Sequence, residues 1–172
     1  MRAPVLAGIA LAFAAGCQTL PHNAPRATAN LAPTTGSTVR GTASFVQVGG
    51  KVRLTANVSG LRPNGEFGFH VHEAGDCSSG DGMSTKGHFN PFGKPHAHSG
   101  TMERHAGDLP SLRSDASGNA SVTADLDVIT VTAGPASVVG KGLIVHAQAD
   151  DYKTQPTGNA GARSACAVIS AG

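Results

Sequence analysis

The chain has no tryptophan, a single tyrosine and only three cysteines among 172 residues, and charged side chains make up just 14% of it. A net charge of +2, with no cluster of Lys and Arg able to track phosphates, excludes a nucleic-acid binder. No apolar run reaches the roughly 20 residues that a bilayer-spanning helix requires. Nor does any stretch carry the repeat of an amphipathic helix. A hydrophobic fraction of 40% excludes a disordered acidic tail and allows one buried core. Glycine is abundant: 23 of them, with 10 prolines, point to many turns between short strands, hence to an all-β domain.

The first seventeen residues, MRAPVLAGIALAFAAGC, comprise one basic residue, an apolar stretch from Val5 to Ala15, and small residues before Cys17. That is the pattern of a secretory signal peptide, expected over residues 1–16. Ala14-Ala15-Gly16-Cys17 resembles a bacterial lipobox, which implies acylation of Cys17 and a lipid anchor as the chain's only membrane contact. Plain secretion, giving a soluble periplasmic protein, is the alternative to a lipid-anchored periplasmic one. If Cys17 is acylated, Cys77 and Cys166 remain as a pair in a disulfide-permissive compartment. Residues 17–37 hold three prolines and little periodicity, and read as a lipidated N-terminus and flexible tether ahead of a domain at 38–172.

From Thr38 onward the apolar residues recur every second position. Val39, Gly41, Ala43 and Phe45 alternate with polar neighbours, Gly49-Gly50 interrupts, and Val52, Leu54, Ala56 and Val58 resume. Val122, Ala124, Leu126 and Val128 repeat the pattern, and further strands are expected at 67–72, 143–148 and 165–169. Seven or eight antiparallel strands therefore fill the domain, leaving two long loops, 73–112 and 150–163. Loops of that length are functional or disordered. Six of the eight histidines lie between His70 and His105, and disorder gives no reason to collect them there.

On a strand, residues two apart project from one face about 7 Å apart, so His70 and His72 can converge on one ion while Phe69 and Val71 pack inward. The same alternation turns Glu73 to the opposite side. GFHVHE at 68–73, GHFNP at 87–91 with RHAGD at 104–108, VHAQADD at 145–151 and GNAGARSAC at 158–166 occur in that order. Together they make residues 38–172 resemble bacterial copper/zinc superoxide dismutase. The resemblance implies a Greek-key β-sandwich or flattened barrel of about eight antiparallel strands. It also implies one copper and one zinc ion per chain, and superoxide as substrate.

Position by position, the resemblance implies copper on His70, His72, His88 and His146, and zinc on His88, His96, His105 and Asp108, with His88 shared. Asp150 is expected to accept hydrogen bonds from His70 and His96. His88 and Arg163 are the expected catalytic residues, His88 handling a proton and Arg163 guiding the anion. A Cys77–Cys166 bridge would tie the first long loop to the strand after Arg163. His98 falls outside the family's spacing and is read as a solvent-facing loop histidine, and Lys153 as a source of steering charge. The rival reading is a non-catalytic copper carrier or buffer of the same fold. A carrier would need no anion-guiding arginine and would favour thiolate or thioether ligands. Nothing in the strand pattern distinguishes a monomer from a homodimer.

Overall fold

A computed structural model describes residues 23–172 of the chain. The expected signal peptide, Cys17 and the start of the expected tether lie outside those residues. In chain order the strands are β1 (Arg26–Pro33), β2 (Arg40–Val48), β3 (Lys51–Ser59), β4 (Glu66–Phe67) and β5 (Phe69–His72). They continue as β6 (Leu112–Arg113), β7 (Ala120–Leu126), β8 (Gly142–His146), β9 (Arg163–Val168) and β10 (Ser170–Ala171). The one regular helical element among the described residues is a single 3-10 turn at Met83–Thr85.

The main sheet runs β5, β8, β9, β1, β2, β3, β7, with β10 also on β1, while β4 and β6 pair separately. All these pairings are antiparallel. β1 joins the two halves: Arg26–Leu31 pairs with β2, and Ala32–Pro33 pairs with β9. The sheet thus curls around one core. Facing side chains include Phe45, Leu54, Phe69, Leu143 and Ile169, all fully buried. Fully burying each such side chain stabilises the fold by about 1.5–3 kcal/mol.

The hairpin expected at Gly49-Gly50 is present, with Val48 opposite Lys51 and Gly49 at a φ of 58°. The tether reading is corrected in part. Residues 26–33 form a strand of the sheet, with Ala27, Ala29 and Leu31 buried in alternation. The period-two signal in RATANLAP is faint because alanine contributes little apolar contrast, and the three prolines of residues 17–37 suggest extended, unpaired chain. The domain therefore includes this segment.

Candidate metal centre

β5 is an edge strand, and two segments of the first long loop close its free edge. Val71 N–H donates to the Gly107 carbonyl (2.9 Å), Phe89 N–H to the Val71 carbonyl (2.8 Å), and Gly107 N–H to the Phe89 carbonyl (2.9 Å). This short ladder sets His88 opposite His72 and Asp108 opposite His70. On the other side of β5, Phe69 pairs with Val145 and His70 with Ile144. Cross-strand partners share a face, so Phe69, Val71, Leu143 and Val145 fill the core while His70, His72 and His146 project from the other face.

Two clusters result. His70, His72, His88 and His146 each present a ligand atom, as do His88, His96, His105 and Asp108, and within each set these atoms lie within 4.8 Å of one another. Every member is buried. The hydrogen bonds identify the free nitrogens of the first set. A carboxylate or carbonyl can only accept, so the proton sits on the nitrogen facing it. His70 donates from Nε2 to Asp150 (2.7 Å), His72 from Nδ1 to the Lys86 carbonyl (2.9 Å), and His146 from Nδ1 to the Gly161 carbonyl (3.1 Å). This leaves His70 Nδ1, His72 Nε2 and His146 Nε2 without a partner, together with His88 Nε2. Four buried nitrogens with no protein partner, gathered at one place, make a donor set for an imidazole-loving ion such as copper.

The second set turns on Asp108. Its Oδ1 lies 3.0 Å from His88 Nδ1, 2.9 Å from His96 Nδ1 and 3.5 Å from His105 Nδ1. His88 and His105 are 3.3 Å apart through their Nδ1 atoms. Tetrahedral zinc with bonds of about 2.0–2.1 Å has ligand-to-ligand edges of about 3.3 Å, so three nitrogens and one carboxylate oxygen fit it. His88 faces both clusters, through Nε2 and Nδ1. Asp108 Oδ2 is occupied elsewhere, accepting from the Ala97 and His105 N–H groups.

The electrostatics follow from burial and charge. Desolvation, and then the neighbouring histidines, push His146 down to about 3 and hold His72 far below its ordinary range. Burial lowers His88 to about 4, with Asp108 opposing. These rings stay neutral and keep their lone pairs at working pH. His96 goes the other way. Burial disfavours its charge, but hydrogen bonds to Asp108 and Asp150 prevail and raise it to about 9. Burial likewise opposes ionisation of Asp108 and Asp150, and hydrogen bonds from the surrounding histidines outweigh it and hold both well below the usual carboxylate range.

Asp150 links the clusters. Its Oδ2 accepts from His70 and its Oδ1 from His96 Nε2 (2.9 Å) and from the Tyr152 N–H (2.7 Å). Only glycine fits at 158: its φ is +64°, and a Cβ there would lie 1.9 Å from Asp150 Oδ1. The Gln155 side chain clamps the His96 backbone, accepting from its N–H and donating to its carbonyl, each at 2.8 Å. Sequence reasoning passed over Gln155, Tyr152, Gly158 and Thr85. A backbone clamp of this kind has no residue-type signature.

Arg163 opens β9 and reaches across to the first loop. Its guanidinium donates to the Gly82 and Lys86 carbonyls and to Thr85 Oγ1. The Thr85 hydroxyl it bonds lies 3.3 Å from His72 Nδ1, so the guanidinium adjoins the first cluster, and its charge helps to depress His72 and His146. Cys77 and Cys166 form a disulfide with a sequence separation of 89, tying the same loop to β9. Closing so long a loop stabilises by about 4–5 kcal/mol in chain-entropy terms.

His98 lies outside both clusters. It is exposed, its Nδ1 accepts from the Gly100 N–H (3.0 Å), and its ring packs edge-on against Tyr152 at 4.8 Å. Glu73 is exposed and pairs with Lys86 at 3.6 Å. Lys153 is exposed in the second loop.

Comparison with known proteins agrees with this geometry. The family model described as copper/zinc superoxide dismutase matches residues 39–169. A copper-zinc superoxide dismutase of Aquifex aeolicus (strain VF5), its number 2, is 39% identical over 148 residues, covering 84% of this chain and 86% of that protein. A copper-zinc superoxide dismutase of Paramecium bursaria Chlorella virus 1 is 41% identical over 137 residues, covering 76% of this chain and 72% of that one. The crystal structure of the clock protein EA4 superposes with a TM-score of 0.77 at 42% identity, over 86% of this chain and 94% of that chain. The donor sets and the relatives point the same way: the chain belongs to the copper/zinc superoxide dismutase family.

Proposed function

We propose that His70, His72, His88 and His146 hold copper, that His88, His96, His105 and Asp108 hold zinc, and that the chain uses this pair of sites to disproportionate superoxide. The carrying observation is the set of unpartnered buried nitrogens on His70, His72, His88 and His146, with His88 shared between the two clusters. Two superoxide radicals and two protons give dioxygen and hydrogen peroxide. Copper, when bound, supplies the one-electron exchange, taking an electron from one superoxide and giving it to the next. His88 keeps Nδ1 on the second cluster, so Nε2 is the atom at which it can hold a proton and deliver it to the reduced oxygen. Asp150 orients His70 and His96 and fixes their tautomers. Arg163 stays charged and offers a fork of donors suited to a small anion at the mouth of the first cluster.

Metal analysis with a superoxide-disproportionation assay tests this reading. Copper and zinc together with fast turnover are expected. A chain fully loaded with both ions but inactive would leave the copper-carrier reading standing. Arg163→Gln is expected to lower the rate constant about tenfold and to flatten its dependence on ionic strength, because the steering charge is lost. An unchanged rate and salt slope would remove Arg163 from the mechanism.

The same reading extends to location. Residues 1–16 serve as a signal peptide, Cys17 carries acyl chains, and the domain works in a bacterial periplasm. The lipobox-like Ala14-Ala15-Gly16-Cys17 supports this, as does the Cys77–Cys166 disulfide, a bond far more common in oxidising compartments than in the cytosol. In cells labelled with radioactive palmitate, the chain should take up label and fractionate with membranes, and Cys17→Ala should do neither. Equal membrane association of both forms would reject the anchor.

A further inference from the structure

Thr85 closes the 3-10 turn Met83–Thr85 and is fully buried, yet its hydroxyl is saturated. It donates to the Gly82 carbonyl (2.8 Å) and accepts from Arg163 Nη1 (2.8 Å). His72 Nδ1, whose proton is directed at the Lys86 carbonyl, also lies 3.3 Å from Thr85 Oγ1. One buried oxygen therefore meets the anion-guiding guanidinium, a ring of the first cluster and the loop backbone at once. Its methyl group is wedged against β8, where a Cβ on Gly142 would approach Thr85 Cγ2 to 2.9 Å. Neither the turn nor the hydroxyl can rotate away without losing these contacts. A buried hydroxyl is costly unless hydrogen-bonded, and this one spends its bonds on Arg163 and His72.

The rest of the Arg163 anchorage is backbone carbonyl from the same short segment, at Gly82 and Lys86. These oxygens follow the loop wherever it goes. Among the described residues, Thr85 Oγ1 is the only side-chain atom that accepts a hydrogen bond from the guanidinium, and it also holds the loop's shape through Gly82.

We propose that Thr85 is a positioning residue: its hydroxyl fixes Arg163 relative to His72, so that the guanidinium is already oriented when a small anion arrives. This rests on the reading of Arg163 as the anion-guiding residue. Pre-orientation raises affinity by lowering the ordering cost of binding. Anion binding should register only the share of the Thr85–Arg163 hydrogen bond that orients the guanidinium.

Azide serves as the anion probe. Its dissociation constant is measured on copper- and zinc-loaded protein from the copper(II) absorption spectrum, for the parent chain, Thr85→Val, Thr85→Ser and Arg163→Gln. The Arg163 side-chain N–H resonances are followed by 15N NMR in the metal-free protein. Thr85→Val is expected to weaken azide binding about three- to tenfold and to shift or broaden the Arg163 resonances, while Thr85→Ser matches the parent in both. Thr85→Ala, which removes bulk instead of adding an apolar methyl, should show the same loss and guards against misfolding of the valine variant. Parent-like azide affinity in both Thr85→Val and Thr85→Ala, with affinity lost in Arg163→Gln, overturns the role of Thr85 and leaves that of Arg163 intact. Failure of Thr85→Ser to restore affinity overturns it as well. Unchanged affinity in Arg163→Gln overturns the reading on which the proposal rests.

Discussion

Asp108→Asn is expected to leave the second cluster empty at zinc concentrations that saturate the parent chain, with zinc affinity down by at least about a hundredfold. The carboxylate touches three imidazoles through Oδ1 and ties the His96 and His105 segments through Oδ2. An amide keeps the shape but loses the charge that a Zn(II) site built on neutral histidines requires. Altering even groups outside the coordination sphere typically costs 10–100-fold in metal affinity, and Asp108 sits inside it. The metal-free variant should also be about 3–5 kcal/mol less stable, because a buried charged network loses its anion. Competition titration with a zinc chelator and chemical denaturation read the two effects separately. Zinc affinity within threefold of the parent would show that the cluster does not depend on Asp108.

The second large effect is acid lability of the metal-free chain, which should lose stability steeply between about pH 6.5 and pH 4. His88 titrates at about 4 and His146 at about 3, and His72 lies lower still, each depressed chiefly by burial. In the unfolded chain all three return to about 6.5, so across this window the unfolded state binds more protons and stability falls as pH falls. Each contributes about 1.4 kcal/mol per pH unit, and the three together about 4 kcal/mol per unit near pH 5. Asp108 and Asp150 are also depressed, so their stabilisation is present above about 3.8 and disappears on further acidification. His96 has the opposite sign. Raised to about 9, it contributes fully below about 6.5 and loses its contribution as pH rises through 9. Denaturant midpoints measured on chelator-treated, disulfide-intact protein from pH 4.5 to 9.5 should trace a maximum near neutrality. A flat profile between pH 7.5 and 5 would contradict the buried, neutral state of these histidines. Bound ions compete with protons for the same lone pairs, so the loaded protein should hold its stability to lower pH.

Much of this was legible in the residues. Alternation identified β2, β3 and β7 because their apolar residues contrast with Thr, Arg, Asn and Ser between them. It missed β1, where alanine alternates with small polar residues and the contrast is weak. The two histidine clusters came from spacing and family resemblance, and the structure brings together every residue of both sets. The supports of the clusters stayed hidden. The Lys86 and Gly161 carbonyls that fix the His72 and His146 tautomers belong to the backbone, and any residue type would supply them.

Hydrophobic period and side-chain type are local properties of the chain, so the residues alone were enough for most of the strand-and-loop pattern and, through the family resemblance, for the donor residues. Packing between distant segments was needed to show which nitrogen of each histidine is free, that Gln155 clamps the His96 backbone, and that Thr85 meets Arg163 and His72 at one atom. Those facts depend on contacts between segments far apart in sequence, such as His70 with Asp150 and Thr85 with Arg163. Such contacts exist only once the β5 edge, the two loops and β9 have packed together.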